Sequence, residues 1–583
     1  MSFLSRIMVL KSQAHFSSGV YNRFGGPTGS LPLEGSRKKK SGQAKSRVGL
    51  LIIGFTALYG VIGGRLVEYA MKDPEVVSSI LPPDRLMASR PDILDRNGEV
   101  LATDIRTVSL FAEPNKIVDA DEAIEKLATV LPDLDVKGTY RKLSVKSSHF
   151  AWLRRQLTPK QQSQILALGI PGIGFRPEKR RFYPGGPTAS HILGYVNIDN
   201  RGVSGMEKYI DDQGLADLAS VGMTSDQPLE PVKLSIDIRV QNIVRDVVTS
   251  AVTNYEAKGA GAVVLDIHTG EVLGMASAPD FDPNNPEEGA KEGWLNRMSN
   301  GTFEMGSTFK TFSTAMALDS GKVSINDSFD ASRPIRIGGF TINDFHGQRR
   351  WLTVPEIFEY SSNIGTAKMI DIVGMEMQKD YLTRFGLLTK MKTELPEVKM
   401  PSQPRVWKKI NSITISFGHG VSTTPMQTAV AGAALVNGGK LIEPTFLPRT
   451  REQADETAEV VVKKSTSDSI RYLFKLNGLK GSGRNADVPG FNVGGKTGTA
   501  DKVVNGRYAH NLNFNAFLAA FPIDNPRYVV LTFCDEPHNG EKGQNIAAYT
   551  AAPMVKNIIR RAAPILGVEP QFGEDGSALL VSY

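Results

Sequence analysis

The chain is 583 residues long, enough for roughly three or four domains, and its 41% hydrophobic and 22% charged residues exclude a mostly disordered chain. A mean hydropathy of −0.19 excludes a polytopic membrane protein but leaves room for one anchor. The formal net charge of +7 raises nucleic acid as a partner, and the single cysteine, Cys534, excludes a disulfide framework and a cysteine-rich zinc site.

The charge is confined to one end. Residues 1–47 hold nine basic side chains, from Arg6 to Arg47, against one acid, Glu34. That net +8 leaves the remaining residues at −1, so no nucleic-acid partner is expected. The tail is rich in Ser and Gly and reads as disordered. Residues 48–64 then run without a charge between Arg47 and Arg65. The run is near the short end of the roughly 17–25 residues that span a bilayer, and no small-x-small cleavage site follows it. This predicts an uncleaved transmembrane anchor over 48–66. The positive-inside rule places the tail in the cytoplasm and the rest of the chain outside it.

Pro74, Pro82 and Pro83 break the connecting segment 67–89. From 90 to about 225 a strand-like run at 108–111 alternates with helical stretches such as 123–131 and Gly-Pro turns such as 183–187, an α+β module. Ser, Gly, Asp and Pro cluster near 215–232 and mark a boundary. Beyond it Val240, Ile243, Val244, Val247 and Val248 fall on one helical face. Residues 261–267 and 271–276 read as a β-hairpin turned by His268-Thr269-Gly270, and 491–499, 515–521 and 528–533 read as three late strands. The stretch 305–450 between them is mostly helical. The predicted fold is α+β multidomain: tail 1–47, anchor 48–66, module 67–225, then at 226–566 a domain with a five-stranded antiparallel sheet flanked by helices, and a loose tail 567–583.

Three motifs lie in that last domain: Ser307-Thr308-Phe309-Lys310, Ser361-Ser362-Asn363 and Lys496-Thr497-Gly498-Thr499. None is specific alone; Ser36-Arg37-Lys38-Lys39 in the basic tail also matches S-x-x-K. Phe309, Phe312 and Met316 form an apolar stripe that places Ser307 at a helix start and Lys310 one turn on, on the same face. A serine hydroxyl needs a base to become a nucleophile. A lysine can be that base only if burial and positive neighbours lower its pKa. Taken singly, Ser307 reads as a helix cap and Lys310 as a solvated side chain. The second motif sits between helical stretches 354–360 and 364–373, where Ser361 could relay a proton and Asn363 could bind an amide. In the third, Gly498 would let an extended peptide lie against the strand. Lys496, Thr497 and Thr499 would hold a carboxylate, and the Thr499 and Ser307 N–H groups an oxyanion. No Asp, Glu or His cluster has metal-ligand spacing, so neither metal nor cofactor is expected. Cys534 reads as a small core residue and His419 as a loop or packing residue.

Together the three motifs resemble the S-x-x-K, S-x-N and K-T-G set of penicillin-binding proteins and serine β-lactamases. The segments 89–98, 191–195 and 202–207 resemble the non-catalytic dimerisation or pedestal module of class B penicillin-binding proteins. The segments 278–284, 417–420 and 424–427 resemble motifs of their catalytic domain, and the likeness covers roughly 48–565, closest to the division-specific members. One departure is Met305 before Gly306, where members often carry Pro. The resemblance implies a serine-type D-Ala-D-Ala transpeptidase of septal peptidoglycan, acylated by β-lactams and held by one span in the bacterial inner membrane at the division site. Its partners would be stem peptides and division-complex membrane proteins, including a glycan polymerase. It implies Ser307 as nucleophile, Lys310 as base, Ser361 and Asn363 as catalytic partners, and Lys496, Thr497, Gly498 and Thr499 as the substrate-binding strand. Elongation-specific members share this chemistry. A silent division scaffold would not need the intact motifs, and a β-lactamase would need neither the anchor nor the 90–226 module.

Overall fold

The computed structural model describes residues 52–64, 90–215, 229–285, 287, 295–504, 506–538 and 545–572. The basic tail, the ends of the expected anchor, most of the connecting segment, the middle of the 215–232 boundary and the end of the C-terminal tail lie outside the described residues. Residues 52–64 are helical and expose the large apolar side chains of Ile53, Phe55, Tyr59 and Val61. Among the described residues no helix is long and apolar enough to cross a membrane.

The body that follows begins with a small sheet. Strands β1 (Ile93–Leu94), β2 (Val100–Ala112), β3 (Ala151–Leu157), β4 (Ile173–Phe182) and β5 (Val232–Lys233) form it, with the long β2 pairing with β1, β3 and β4. Three short helices, α1 (Ala120–Val130), α2 (Val136–Ser144) and α3 (Pro159–Ala167), accompany it. Each starts on a side-chain cap, from Asp119, Asp135 and Thr158, which satisfies N–H groups that have no partner inside the helix. Small apolar clusters around Leu110, Leu127 and Leu157, and around Ile117, Ile124 and Leu143, hold helices to strands.

The catalytic-side sheet is wholly antiparallel. It consists of β6 (Gly259–Asp266), β7 (Val272–Ala278), β8 (Gly494–Val504), β9 (Arg507–Phe521) and β10 (Tyr528–Asp535), in the order β8-β9-β10-β6-β7. The expected five strands are present, and β8, which carries the third motif, is an edge. Side chains alternate between faces with period two, and both faces are covered. Val263, Leu265, Leu518 and Leu531 pack toward α5 (Lys310–Asp319), α6 (Asn363–Val373), α7 (Pro425–Val436) and α8 (Lys464–Leu479). Ala262, Val264, Ala519 and Val530 pack toward α4 (Ile238–Asn254) and α9 (Ala551–Ala562). Burial on both faces explains why these strands read as continuous apolar runs rather than alternations. Helix α7 is buried along its whole length. Its Thr424-Pro425-Met426-Gln427 start is a capping box with Pro in the first turn.

The non-catalytic motifs turn out to be joints. The Arg90 guanidinium donates to Glu207 at 2.8 Å and Asp211 at 2.6 Å, and that of Arg181 to Glu207 at 2.6 Å and Asp104 at 3.2 Å. Glu207 is fully buried between the two arginines. Asp95 accepts from the Ile238 N–H at 3.0 Å at the start of α4, and Gly205 N–H donates to Glu397 at 3.2 Å. Asn284 pairs both ways with the backbone of Tyr183, at 3.0 and 2.9 Å. The Asp95, Gly205 and Asn284 bonds tie the first module to the second domain, while the arginine network braces the first module internally. Glu207→Ala would take a buried carboxylate from each of two buried guanidinium groups. We expect a loss of about 3–5 kcal/mol, read as a large fall in Tm of the purified protein.

Candidate active site

Ser307 lies in a tight turn, Gly306–Phe309, that runs directly into α5. Lys310 is the first residue of α5 and is 1% exposed, because Phe309 and Phe312 bury that end of the helix against the core. The Lys310 Nζ donates to Ser307 Oγ at 3.1 Å, to Ser361 Oγ at 3.1 Å and to the Ser361 carbonyl at 2.5 Å. Lys496, on β8, is 0% exposed and donates to the same Ser361 Oγ at 3.1 Å and to the Thr497 carbonyl at 3.4 Å. Its ammonium lies 5.7 Å from the Phe358 ring centre. The structure thus brings Ser307, Lys310, Ser361 and Lys496 into one hydrogen-bonded chain.

Among the described residues neither lysine has a carboxylate at ion-pair distance. Burial pushes the Lys310 pKa well down, and the charge of Lys496 pushes it further. Burial alone brings Lys496 down to about 7. Two buried ammonium groups on one hydroxyl would repel in a low-dielectric setting, which favours the neutral amine at Lys310; its two N–H then serve Ser361 and the Ser307 hydroxyl donates to its lone pair. That is the state a base needs.

Ser361 is held at φ +57°, a left-handed conformation that costs a non-glycine residue on the order of 1–3 kcal/mol. The turn around it is fixed from outside. Ser362 Oγ caps α6 through Gly365 N–H at 2.9 Å and donates to Asp344 at 2.8 Å. Asp344 also accepts from Ile364 N–H at 2.9 Å. The Asn363 side-chain amide donates to the Asn343 carbonyl at 2.9 Å, which orients it.

Strand periodicity divides the third motif. Lys496 and Gly498 face α5. Thr497 and Thr499 face the other side, where Thr497 Oγ1 bonds Ser482 Oγ and Thr499 Oγ1 accepts from Ala547 N–H at 3.0 Å. Gly498 has a role the sequence did not suggest. A Cβ there would collide with the Met305 carbonyl and sit 2.8 Å from Thr308 N, so the missing side chain admits the nucleophile turn itself. Gly306, at φ +51°, would place a Cβ 2.6 Å from the Thr499 carbonyl, and Gly418, at φ +93°, presses on Gly306 from behind. These contacts bring the Ser307 and Thr499 backbones together. Asp344, Asn343 and Ser482 were missed in the sequence because they lie in loops distant in the chain and match no motif. Asn477, whose amide donates to the Gly495 carbonyl at 2.7 Å, was missed for the same reason. Among the described residues no group of acids, His and Cys could hold a metal.

A serine in contact with a buried lysine, a second serine bridging two lysines, and an edge strand beside them define the serine acyl-transfer enzymes that penicillin acylates. Residues 260–560 match the penicillin-binding protein transpeptidase domain, and residues 85–218 match the penicillin-binding protein dimerisation domain. The chain is 37% identical to the probable peptidoglycan D,D-transpeptidase FtsI of Caulobacter vibrioides, over 82% of each chain. It is 32% identical to the probable peptidoglycan D,D-transpeptidase PenA of Neisseria gonorrhoeae, over 93% of this chain and 96% of the relative. It is 30% identical to the peptidoglycan D,D-transpeptidase FtsI of Escherichia coli, over 83% and 85%. The chain belongs to the penicillin-binding protein transpeptidases, of the class B arrangement in which a dimerisation module precedes the catalytic domain.

Acylation should require neutral Lys310, so its rate should fall as pH drops and Lys310 takes up a proton. Lys496→Met removes the neighbouring charge that helps hold the Lys310 pKa down. The acid limb should move up by about one pH unit, measured as the rate of covalent labelling by fluorescent penicillin across pH. Gly498→Ala should slow the same labelling at least about a hundredfold, because displacing the turn by even ~1 Å misplaces Ser307.

Proposed function

We propose that this chain cross-links peptidoglycan stem peptides at the division septum as a D,D-transpeptidase, anchored in the inner membrane with its catalytic domain in the periplasm. The observation that carries the chemistry is the Lys310 Nζ placed 3.1 Å from Ser307 Oγ in a fully buried setting. Lys310 takes the hydroxyl proton as Ser307 Oγ forms a bond to the penultimate D-Ala carbonyl carbon. The resulting oxyanion lies between the Ser307 and Thr499 N–H groups. The C–N bond then breaks as the departing D-Ala nitrogen takes the Ser361 Oγ proton, which Lys310 replaces from the one it took, leaving Lys310 neutral and Lys496 beside Ser361 on the relay. An amine of a neighbouring stem attacks the acyl carbon and yields a proton to Lys310, which passes it to Ser307 Oγ as the C–O bond breaks and the cross-linked product departs.

The donor lies along the edge strand β8. Asn363 orients its amide, and its terminal carboxylate reaches across the edge of β8 to the Thr497, Thr499 and Ser482 hydroxyls, with Lys496 on the other face of the strand. The basic tail, the uncharged run 48–64 and the exposed apolar face of residues 52–64 support a membrane anchor. The relatives named FtsI support a division role over an elongation role. Division-complex membrane proteins, a glycan polymerase among them, are the expected partners.

The test is intact-protein mass spectrometry after benzylpenicillin. We expect one adduct on the wild type, none on Ser307→Ala, and acylation slowed at least about 10³-fold in Lys310→Ala. An adduct persisting on Ser307→Ala would refute the assignment. Filamentation on depletion supports division, and rounding would support elongation.

A further inference from the structure

The reaction joins two strands, and the residues above account for only one of them. The turn Ser361–Asn363 is flanked by a loop, residues 345–351, that no step above uses. One end is fixed by Asp344, bound to Ser362 and Ile364 N–H. The other end is fixed by Arg350, which donates to Glu356 at 2.7 Å and lies over the ring of Tyr360, the residue before Ser361, at 5.8 Å. The loop therefore spans the S-x-N turn from one side to the other.

Every residue in it is exposed. Phe345 is 81% exposed and Trp351 64%, with the His346 ring edge-on to Phe345 at 4.6 Å. Lone exposed apolar residues are ordinary, but two bare aromatics, Phe345 in this tethered segment and Trp351 where it enters the short strand Trp351–Thr353, mark an interaction surface beside the S-x-N turn. Arg349 is held at φ +53° and has no acidic partner among the described residues. Strain and an unpaired guanidinium at a site rim fit a group kept ready for a ligand.

We propose that the 345–351 loop is the docking platform for the acceptor strand, a glycan chain bearing stem peptides, and so supplies the second substrate of the reaction described under Proposed function, on which this inference rests. Sugar rings lie against Phe345 and Trp351, and stem carboxylates pair with Arg349. Guanidinium groups match carboxylates through paired N–H donors, and rigid aromatic faces give contact area at small entropic cost. The acceptor falls here rather than on β8 because the donor occupies that edge. The amine must also reach the acyl carbon on Ser307, whose base, Lys310, touches Ser361 as well.

The test uses the full-length protein in detergent and soluble uncross-linked glycan strands, either carrying pentapeptide stems or stripped of them. We expect Phe345→Ala/Trp351→Ala and Arg349→Glu each to weaken binding of stem-bearing strands at least about tenfold. Phe345→Tyr/Trp351→Tyr should restore most of it. Stripped strands should bind wild type more weakly and be indifferent to Arg349→Glu. In cross-linking, KM for the acceptor should rise with kcat within about twofold. Penicillin labelling of each variant reports an intact cleft. Labelled variants that bind stem-bearing strands as tightly as wild type would overturn the inference while leaving the transpeptidase reading standing. Absence of label on the wild type would overturn that reading and this inference with it.

Discussion

Two lysines without counter-charges converge on one serine hydroxyl, and the rest of the catalytic domain is arranged to make that arrangement tolerable. Burying a lone ammonium costs several kcal/mol even after relaxation. A protein can reduce the cost by pairing the charge or by giving up the proton. Here no carboxylate lies at ion-pair distance from either amine among the described residues, and burial shifts both lysines toward the neutral form, Lys310 further than Lys496. Phe309, Phe312 and Phe358 keep water from the pair, and the helix pack behind them keeps the phenyl rings in place. The basicity of the centre is thus a property of the core, and packing and chemistry cannot be varied independently.

The second constraint is steric. Met305 to Thr308, the Thr499 carbonyl and Gly418 meet where three glycines leave no room for side chains. This crowding places the Ser307 and Thr499 backbones, from distant parts of the chain, side by side, as the proposed oxyanion site requires. Asp344 performs the corresponding service for the Ser361 turn, holding a strained residue from a loop. Catalytic groups on three separate chain segments are each braced by a neighbour that does no chemistry itself.

Much of this was legible in the sequence. The ordered S-x-x-K, S-x-N and K-T-G motifs named residues that the structure brings together, and the helical period of Val240 to Val248 and the late apolar runs located the layers. What escaped was whatever depended on tertiary contact. Lys310 read singly as solvated, because its burial depends on Phe309 and Phe312 packing into a core assembled from distant segments. At Gly498 the motif did not show the close approach of the Ser307 turn, which a Cβ there would meet. Nor did it show that Thr497 and Thr499 lie across the pleat from Lys496. Arg90 and Glu207 stood in the first module's motifs, but their buried contact with each other and with Arg181 could not be read, since Arg90 and Glu207 lie 117 residues apart.

The three-glycine contact also bears on how such a chain can change over generations. Any single-base substitution that gives a glycine codon a side chain introduces a Cβ where backbone already stands, so inherited variation at positions 306, 418 and 498 is closed off almost entirely. A lineage pressed to discriminate between its own substrate and a small acylating mimic would have to find its latitude in the surrounding loops. There residues are exposed and the backbone has room, and recognition can drift while the reacting atoms remain fixed.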